Sequence, residues 1–260
     1  MPEGPEVKSM VNKLETFINS TLKEIKIISG RYIHHGNPKN FDYLKLPLKI
    51  IDIKTHGKFT IINLNHTIYI YITLGMTGFI GTDYYNHLRI TFKTSKGNFY
   101  LDDTRNFAQL QILNCKEHQN KIKSFGYDPL GKKMPFEQFL NYFKSFKSNW
   151  IIADALMKQN FISGIGNYLR AEILYETGID PFCEIGAFDN EMIKLLYNYT
   201  HKIIKHSYNL ILKGSYINFK VYRKTVCPKG NPIEYVDRKN RRLWYCPKAI
   251  KFKCKKKESP

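Results

Sequence analysis

The chain has 260 residues, of which 43% are apolar, and this length suits one large domain or two of ordinary size. Its 41 Lys and Arg against 22 Asp and Glu give a formal charge of +19, which favours a polyanionic partner, nucleic acid before a membrane surface. No stretch has the length and apolarity of a transmembrane helix or the residue order of a signal peptide, so the sequence predicts neither a membrane span nor export.

The opening stretch "MPEGPEV" places a proline second, between Met1 and Glu3, with Glu6 close behind. If Met1 is removed, the chain begins with the secondary amine of Pro2. A terminal amine titrates at about 7.7 to 8.0, so a sizeable fraction is uncharged and able to attack a carbon that bears a latent aldehyde and form an iminium. The alternative is structural: Glu6 favours the positive end of an amphipathic helix, which the apolar spacing over 7–18 predicts in either case.

The first half of the chain alternates apolar and polar residues and is rich in Ile, Thr and Tyr, as β-strands are. Strands are predicted within residues 22–32, 48–80, 87–93 and 98–113. The segment "TSKGN", residues 94–98, predicts a hairpin turn that joins the last two of these regions. Regular short strands of this kind indicate an antiparallel β-sandwich preceded by one helix.

From residue 134 the apolar residues recur at three- and four-residue spacing, which is typical of helices. Helices are predicted over residues 135–146, 149–158, 168–177 and 189–212. The predicted fold is therefore α+β and two-lobed. Its parts are a sandwich domain, a linker, a helical domain and a basic tail, over residues 1–115, 116–133, 134–214 and 215–260.

Five cysteines form an odd set without close pairs, which predicts a reducing compartment and no disulfide framework. The basic tail carries most of the excess charge, with 15 Lys and Arg and two acidic residues over 213–257. Its segments "VCPKGNP" and "RRLWYCPKA" look like two knuckles of a four-cysteine zinc ribbon. However, Lys229, Gly230 and Ala249 stand where further ligands belong, and no histidine follows His206. The sequence therefore predicts a hairpin without metal and no cofactor.

The segment "QNFISGIGNYLRAEIL" places Gly164 and Gly166 just before a helix predicted to begin near Tyr168. Glycines let the backbone approach a phosphate, and the free amides of a helix N-terminus can bind its oxygens. Asn167 adds a side-chain amide at the same place. The alternative is an ordinary tight connection between two helices.

Lys58 follows a glycine in "HGKFT", within a predicted sheet region, where most lysines are simply solvated. Met76 in "LGMTG" and Arg105 and Phe107 in "DDTRNF" form a second set. An apolar side chain, a planar cation and an aromatic ring can fill the gap left when a base leaves the stack. Alternatively, Met76 and Phe107 belong to the core and Arg105 pairs with a neighbouring aspartate.

Taken in order and spacing, these segments resemble the formamidopyrimidine-DNA glycosylase and endonuclease VIII family over essentially the whole chain. The segments are "MPEGPEV", "HGKF", "LGMTG", "DDTRNF", "SGIGNYLRAEIL" and "RRLWYCP". The resemblance implies a base-excision repair enzyme with a β-sandwich lobe, a helical lobe holding a helix-two-turn-helix element, and DNA in the cleft between them. The family also implies a bifunctional glycosylase and lyase that cuts the strand by β,δ-elimination.

By this resemblance Pro2 is the nucleophile and Glu3 protonates the deoxyribose as its ring opens. Glu6 orients the site, and Lys58 contacts phosphate and assists elimination.

The resemblance also assigns residues to the DNA. Asn167 and Arg241, with Arg242 as the alternative register, grip phosphates beside the flipped nucleotide. Met76, Arg105 and Phe107 occupy the void.

Two departures from the family pattern bear on subtype. The missing zinc ligands resemble the "zincless finger" of some endonuclease VIII-like members. The segment 213–224 leaves no room for the long loop that closes over 8-oxoguanine, and Gly4 stands where guanine-directed enzymes usually have Leu. Oxidised pyrimidines and ring-opened or hydantoin lesions are therefore expected over 8-oxoguanine.

Two other functions stay open on the sequence: a damaged-DNA-binding module without catalysis, and an RNA-binding protein. The expected partner is damaged DNA, with the choice between duplex and single strand left open, and the expected state is a monomer. Without a targeting signal, the expected location is the cytoplasm or nucleoid of a bacterium, or a site of viral replication in a host cell.

Overall fold

The computed structural model describes residues 1–254, and the chain divides into two compact units, of which the first ends at Phe125 and the second begins at Gly126. The first unit combines helices with an antiparallel sheet, and the second consists of helices and a β-hairpin. The predicted α+β fold is confirmed. The end of the predicted basic tail, 255–260, lies outside the described residues.

The first unit contains eight antiparallel strands: β1 (Thr21–Ile27), β2 (Leu48–His56), β3 (Phe59–Leu64), β4 (Ile68–Thr73), β5 (Gly78–Gly81), β6 (Leu88–Thr94), β7 (Gly97–Asp103) and β8 (Gln109–Asn114). Their order in the sheet is β5-β7-β6-β1-β2-β3-β4-β8. Since β1 and β2 share the short register Thr21–Lys49 and Leu22–Leu48, the sheet divides there into two halves. All eight strands contribute alternate residues to one apolar core, as a β-sandwich requires.

Three helices belong to the first unit: α1 (Gly4–Asn12), α2 (Arg31–His34) and α3 (Cys115–Lys123). Helix α3 lies in the region predicted as a linker, 116–133. It forms because Asn114 and Glu117 make a reciprocal capping box, in which each side chain accepts the backbone N–H of the other. The division between the units falls after this helix.

The second unit contains α4 (Phe136–Lys144), α5 (Ile152–Ala155), α6 (Asn167–Thr177) and α7 (Asn190–Leu212). The helix predicted over 149–158 shortens to α5, because the N–H groups of Ile152 and Ala153 donate to the carbonyls of Cys183 and Pro181 instead of extending a helix. No helix in the described part of the chain has the length and apolarity needed to cross a membrane.

The second unit ends in a hairpin of β9 (Glu234–Arg238) and β10 (Arg241–Tyr245), the finger. Its two-residue loop, Lys239 and Asn240, has positive φ at both positions, the geometry of a type I′ turn. The carboxylate of Asp154 accepts hydrogen bonds of 3.1 and 2.9 Å from the Arg238 guanidinium, and Leu243 is fully buried in the helical core. The finger is therefore attached to the helical domain by both an ion pair and apolar packing.

A disulfide joins Cys183 to Cys254, so the expectation of free cysteines was wrong for this pair. The two residues are 71 positions apart in sequence, which hid the pairing. They meet because the N–H groups of Lys251 and Phe252 both donate to the carbonyl of Gly178, bringing the end of the described chain alongside the residues after α6.

Candidate active site and nucleic-acid interface

A reciprocal capping box at the start of α1 holds the two N-terminal carboxylates. The Glu6 carboxylate accepts the backbone N–H of Glu3 at 2.9 Å, and the Glu3 carboxylate accepts the backbone N–H of Glu6. The Glu3 side chain is only 2% exposed, while Pro2 directly before it is half-buried. The sequence motif therefore places a buried carboxylate next to the second residue of the chain.

Lys58 lies in the two-residue loop of the β2–β3 hairpin, not within a strand as expected. His56 and Phe59 form the last pair of the hairpin, and Gly57 takes the positive φ of +54° that this loop requires. Helix α1 packs against β3, which Lys58 precedes, and against β5. The elements carrying the N-terminal carboxylates and the lysine are thus neighbours in the first unit.

The loop that carries Met76 packs against the loop that carries Phe107. Gly75 has a φ of +59°, and a Cβ placed there would lie 2.7 Å from the Cβ of Phe107. Only a glycine permits this approach. Two of the three predicted void-filling residues, distant in sequence, are therefore on loops in direct contact.

Asp103 organises both loops and was missed by the sequence reasoning. Its fully buried carboxylate accepts the hydroxyl of Thr77 and the backbone N–H groups of Arg105 and Ala108. A carboxylate with three donors fixes the backbone on either side of the void-filling residues. Its place in "DDTRNF" was visible, but the partner 26 positions earlier was not.

The Arg105 guanidinium carbon lies 4.9 Å from the centroid of the Phe107 ring, and the Phe107 side chain is 47% exposed. Among the described residues, Arg105 forms no ion pair with a neighbouring aspartate, so that alternative was wrong. Asp102 instead accepts the backbone N–H groups of Tyr85 and His87. Cation and ring therefore form one exposed unit.

In the second unit, the glycine-rich turn before α6 is buried. The N–H of Gly164, whose φ is +89°, donates to the side-chain oxygen of Gln159 at 3.0 Å, so this amide is already engaged. Gly166 is the N-cap of α6, and Asn167 is its first residue. The Asn167 side-chain nitrogen donates to the carbonyl of Arg242 at 3.0 Å, which connects this turn to the finger.

Arg170, one turn into α6, was also missed. Its guanidinium is almost fully buried and donates to the carbonyls of Ala153 and Arg242 and to the side-chain oxygen of Asn167. These bonds orient the Asn167 amide and the finger backbone together. No local spacing pattern distinguishes this arginine from a solvated one in a helix.

The two candidate arginines of the finger lie on opposite faces of β10. Arg241 shares a face with the buried Leu243, because alternate residues of a strand point the same way. The Arg242 guanidinium lies 4.2 Å from the Tyr235 ring centroid and 3.5 Å from Asp237, on the other face.

The segment after α7 is short and held in place by a buried glutamate. The Glu172 carboxylate accepts the backbone N–H groups of Lys220, Val221 and Tyr222 at 2.9 to 3.0 Å. Val221 is fully buried. The connection from the helical domain to the finger is therefore fixed at its centre.

Two buried thiols, Cys227 and Cys246, lie in one small apolar cluster at the base of the finger. Gly230 donates its N–H to the Cys227 carbonyl and Ala249 to the Cys246 carbonyl, so both knuckle turns persist without their second ligands. Burial opposes ionisation of Cys227, but backbone N–H groups outweigh it and lower the pKa of its thiol. Within residues 1–254, no group of three metal-binding side chains occurs, and two thiols do not fit a structural zinc site.

Two family models match the chain. They are the formamidopyrimidine-DNA glycosylase N-terminal domain, over residues 1–110, and the formamidopyrimidine-DNA glycosylase H2TH domain, over residues 125–219. Together they include most of the chain, while most of β8, helix α3 and the finger lie outside the two matched ranges.

Several curated proteins named formamidopyrimidine-DNA glycosylase are similar in sequence. The protein of Ureaplasma parvum is 31% identical over 196 residues, or 70% of this chain and 69% of that protein. Those of Solibacter usitatus and Mycoplasma pneumoniae are 28% and 26% identical, over 76% and 86% of this chain and 74% and 83% of the relatives.

Solved structures share the fold. A Lactococcus lactis enzyme mutant in complex with Fapy-dG-containing DNA has a TM-score of 0.80 at 21% identity, over 96% of this chain and all of that chain. A Lactococcus lactis complex with abasic-site DNA has a TM-score of 0.79 at 22% identity, with the same coverage of this chain and all of that chain.

Proposed function

Because the chain belongs to the formamidopyrimidine-DNA glycosylase family, we propose that it is a bifunctional DNA glycosylase and abasic-site lyase that uses Pro2 as its nucleophile. The observation that carries this proposal is the capping box of Glu3 and Glu6, which holds a buried carboxylate beside Pro2. The Glu3 carboxylate is only 2% exposed although it directly follows Pro2, and a buried carboxyl at that place suits proton transfer to a sugar.

The proposed reaction begins after removal of Met1. The neutral Pro2 amine attacks C1′ of the damaged nucleotide, the bond from C1′ to the base breaks, and the base leaves with the proton that the Pro2 nitrogen gives up. Glu3 protonates the ring oxygen as the sugar opens, a step that general acid catalysis accelerates by about 100- to 10,000-fold. The resulting iminium acidifies C2′, so loss of its proton breaks the C3′–O bond. A second elimination breaks the C5′–O bond and frees the sugar from the DNA, and water then hydrolyses the bond between C1′ and the Pro2 nitrogen.

The other residues have supporting roles in this proposal. Glu6 positions Glu3 by holding its backbone N–H. Lys58, at the tip of its hairpin, contacts phosphate and assists elimination. Asn167 and Arg241 bind phosphates near the flipped nucleotide, and backbone contacts of this kind make affinity fall steeply with salt.

The exposed pair of Arg105 and Phe107, with Met76 on the adjoining loop, is proposed to occupy the place of the extruded base. A ring and a planar cation replace part of the stacking that the neighbouring bases lose. The Asp103 carboxylate keeps these loops in place before DNA arrives, which lowers the cost of ordering them on binding.

Lesion choice follows from the short connection to the finger. Glu172 fixes the backbone of Lys220, Val221 and Tyr222, so this segment has no long loop to close over a purine. We therefore propose a preference for oxidised pyrimidines and for ring-opened or hydantoin lesions over 8-oxoguanine. The endonuclease VIII-like subtype with a metal-free finger is part of the same proposal.

Borohydride trapping tests the mechanism. Purified protein, its N-terminus checked by intact mass, is incubated with duplex and single-stranded oligonucleotides carrying thymine glycol, a hydantoin, 8-oxoguanine or an abasic site. We expect a covalent adduct that maps to Pro2. It should form faster with thymine glycol and the hydantoin than with 8-oxoguanine. Pro2→Gly is expected to lose most base excision while still binding DNA.

The competing function is a damaged-DNA-binding module without catalysis. It would be supported if protein lacking Met1 bound abasic DNA but gave no adduct. Equal loss of binding and excision in Pro2→Gly would instead assign Pro2 a structural role.

A further inference from the structure

The first unit contains a cavity of about 420 Å³ on the face of β3, β4 and β8 that points away from the sandwich core. Pockets for small molecules measure roughly 300 to 1,000 Å³, so this volume suits a ligand of nucleotide size. Its rim includes Phe59, Thr73 and Gln109, which pair across the three strands. The Lys58, Met76 and Phe107 loops leave the sheet at this same end.

Three cations line the cavity: Arg31, Lys39 and Lys121. None of them takes part in an ion pair within the described part of the chain, and the lining includes no acid. Glu117, on the same helix as Lys121, already accepts from the side chain of Asn40. The cavity therefore carries uncompensated positive charge, which favours an anionic ligand.

Two of these cations are attached to fixed backbone. The N–H of Arg31 donates to the Asn106 side chain at 3.1 Å, and the carbonyl of Lys39 accepts the N–H of Ile112 at 3.0 Å. The Lys121 ammonium lies 5.1 Å from the centroid of the Phe59 ring. The backbone that carries Arg31 and Lys39 is thus fixed at the cavity before a ligand binds, and the Lys121 ammonium lies beside one of its rings.

Aromatic rings form the walls. The Tyr32 hydroxyl both donates to the carbonyl of Leu110 and accepts its N–H, and the Tyr71 hydroxyl bonds the ring of His118 at 2.8 Å. Because both hydroxyls are engaged, the two rings are held rigidly, but Tyr71 is only 1% exposed, so of the two Tyr32 offers the accessible ring surface. Tyr32 and Phe59 are half-buried, so part of each ring is accessible to a flat ligand.

Two side-chain amides complete the lining. Gln109 and Gln111 project from β8 into the cavity, and each offers donors and an acceptor. Cations suit a phosphate, rings suit the face of a base, and amides suit its edge. We propose that this cavity binds a nucleotide through its phosphate and its base together, a site beyond the catalytic function proposed above.

The nucleotide could come from two sources, a free nucleoside monophosphate or one residue of a DNA strand held at the neighbouring loops. Titration calorimetry with dAMP, deoxyadenosine, inorganic phosphate and undamaged oligonucleotides of increasing length separates them. We expect saturable binding of dAMP, with an affinity about tenfold higher than that of deoxyadenosine and about tenfold higher than that of phosphate. Deoxyadenosine lacks the contacts to the phosphate, and phosphate lacks the contacts to the base. If an oligonucleotide competes with dAMP, the bound nucleotide belongs to a DNA strand. If it does not compete, the ligand is the free nucleotide.

The double variant Arg31→Gln, Lys39→Gln is expected to weaken dAMP binding by about tenfold or more, as each removed cation takes away a charge-assisted bond. The matched control, Lys13→Gln with Lys23→Gln, removes the same charge from exposed positions of the same unit. It should change the affinity for dAMP by less than about twofold. Gln111→Leu should weaken dAMP without changing phosphate binding. Equal affinities for dAMP and phosphate, or equal losses in the two double variants, would overturn the proposal.

This test is separate from that of the glycosylase mechanism. Pro2→Gly leaves the cavity lining intact and should bind dAMP as the unmodified protein does. Failure of borohydride trapping with intact dAMP binding would therefore refute only the catalytic proposal, and the reverse result only the nucleotide site.

Discussion

The guanidinium of Arg105 stacks over the exposed ring of Phe107, 4.9 Å from its centroid, although two aspartates lie nearby in sequence. Asp102 and Asp103 are both buried and their carboxylates accept backbone N–H groups, so the arginine is directed to the ring. An arginine held by an exposed aromatic ring is poised for contact with another flat surface. This arrangement supports a role in filling the DNA stack.

Phe107→Ala is expected to slow excision from duplex DNA by about 10- to 100-fold, because a stacked ring contributes about 1–3 kcal/mol. On single-stranded DNA, where there is little stacking to replace, the loss should be a few-fold at most. Single-turnover excision on both substrates measures the difference. Tyr43→Ala removes an exposed ring from the same unit and serves as the control; equal losses on duplex and single strand would contradict the role of Phe107.

Asp103→Asn is expected to lower the free energy of unfolding by about 1–3 kcal/mol, because an amide cannot accept all three donors that the buried carboxylate satisfies. Urea unfolding of the two proteins gives this difference. The control is Asp83→Asn, at an exposed position, where a change below about 0.5 kcal/mol is expected. If both variants unfold alike, the carboxylate does not hold the loops.

The spacing of apolar residues reveals the elements that bury one face. Alternation predicted the sandwich strands, and apolar spacing predicted α6 and α7, because burial of one face imposes a period on the residues. Lys58 was assigned to a strand because a two-residue loop barely interrupts the alternation on either side. Contacts between segments that are distant in sequence impose no such period, so the spacing of residues does not reveal them.

The missed residues all have partners far along the chain. Glu172 accepts N–H groups 48 to 50 positions later, and Arg170 reaches the carbonyl of Arg242, 72 positions later. Cys183 and Cys254 are similarly distant. A buried charged side chain in a helix gives no local sign of its partner, so only the folded chain identifies these anchors.

The ion pair between Asp154 and the finger predicts a pH dependence. Hydrogen bonds from Arg238 hold the pKa of the Asp154 carboxyl below its ordinary value of 3.8. A group whose pKa is lower in the folded state contributes stability above its unfolded pKa, and this contribution is lost as pH falls through the folded value. Asp154→Asn should therefore cost about 1–3 kcal/mol at neutral pH and progressively less below about pH 4.

Urea unfolding of both proteins between neutral pH and acid measures this convergence. Asp52→Asn, which removes an exposed carboxylate 3.7 Å from Lys54, is the matched control and should cost less than about 1 kcal/mol at every pH. A cost for Asp154→Asn that does not change with pH would show that packing, not charge, attaches the finger at this point.

The disulfide between Cys183 and Cys254 closes a chain segment of 71 residues that includes α7 and the finger. On the loop-entropy model, its loss lowers the free energy of unfolding by about 4 kcal/mol. Cys254→Ser, or addition of a reductant, should have this effect in urea unfolding, whereas Cys115→Ser, at an exposed free thiol, should not. Detection of five alkylatable thiols in the oxidised, unfolded protein would refute the bond.

The two arginines of β10 are expected to have separable effects, because their side chains lie on opposite faces of the strand. The contact of Arg242 with Asn167 is made by its backbone carbonyl, which a change of side chain leaves in place. The Arg242 guanidinium is engaged with Tyr235 and Asp237, so its removal should disturb the finger surface and little else.

Arg241 shares the face of the buried Leu243, the face that packs on the helical core holding Asn167. If Arg241 contacts phosphate, Arg241→Ala should weaken binding of abasic-site DNA at every sequence tested and reduce the salt dependence by about one unit of log–log slope. Arg242→Ala should change that slope less, since the Arg242 guanidinium lies on the other face of the finger and is engaged with Tyr235 and Asp237. Binding isotherms over a range of salt concentrations distinguish them, and a reduced slope in Arg242→Ala alone would assign the phosphate contact to the other face of the finger.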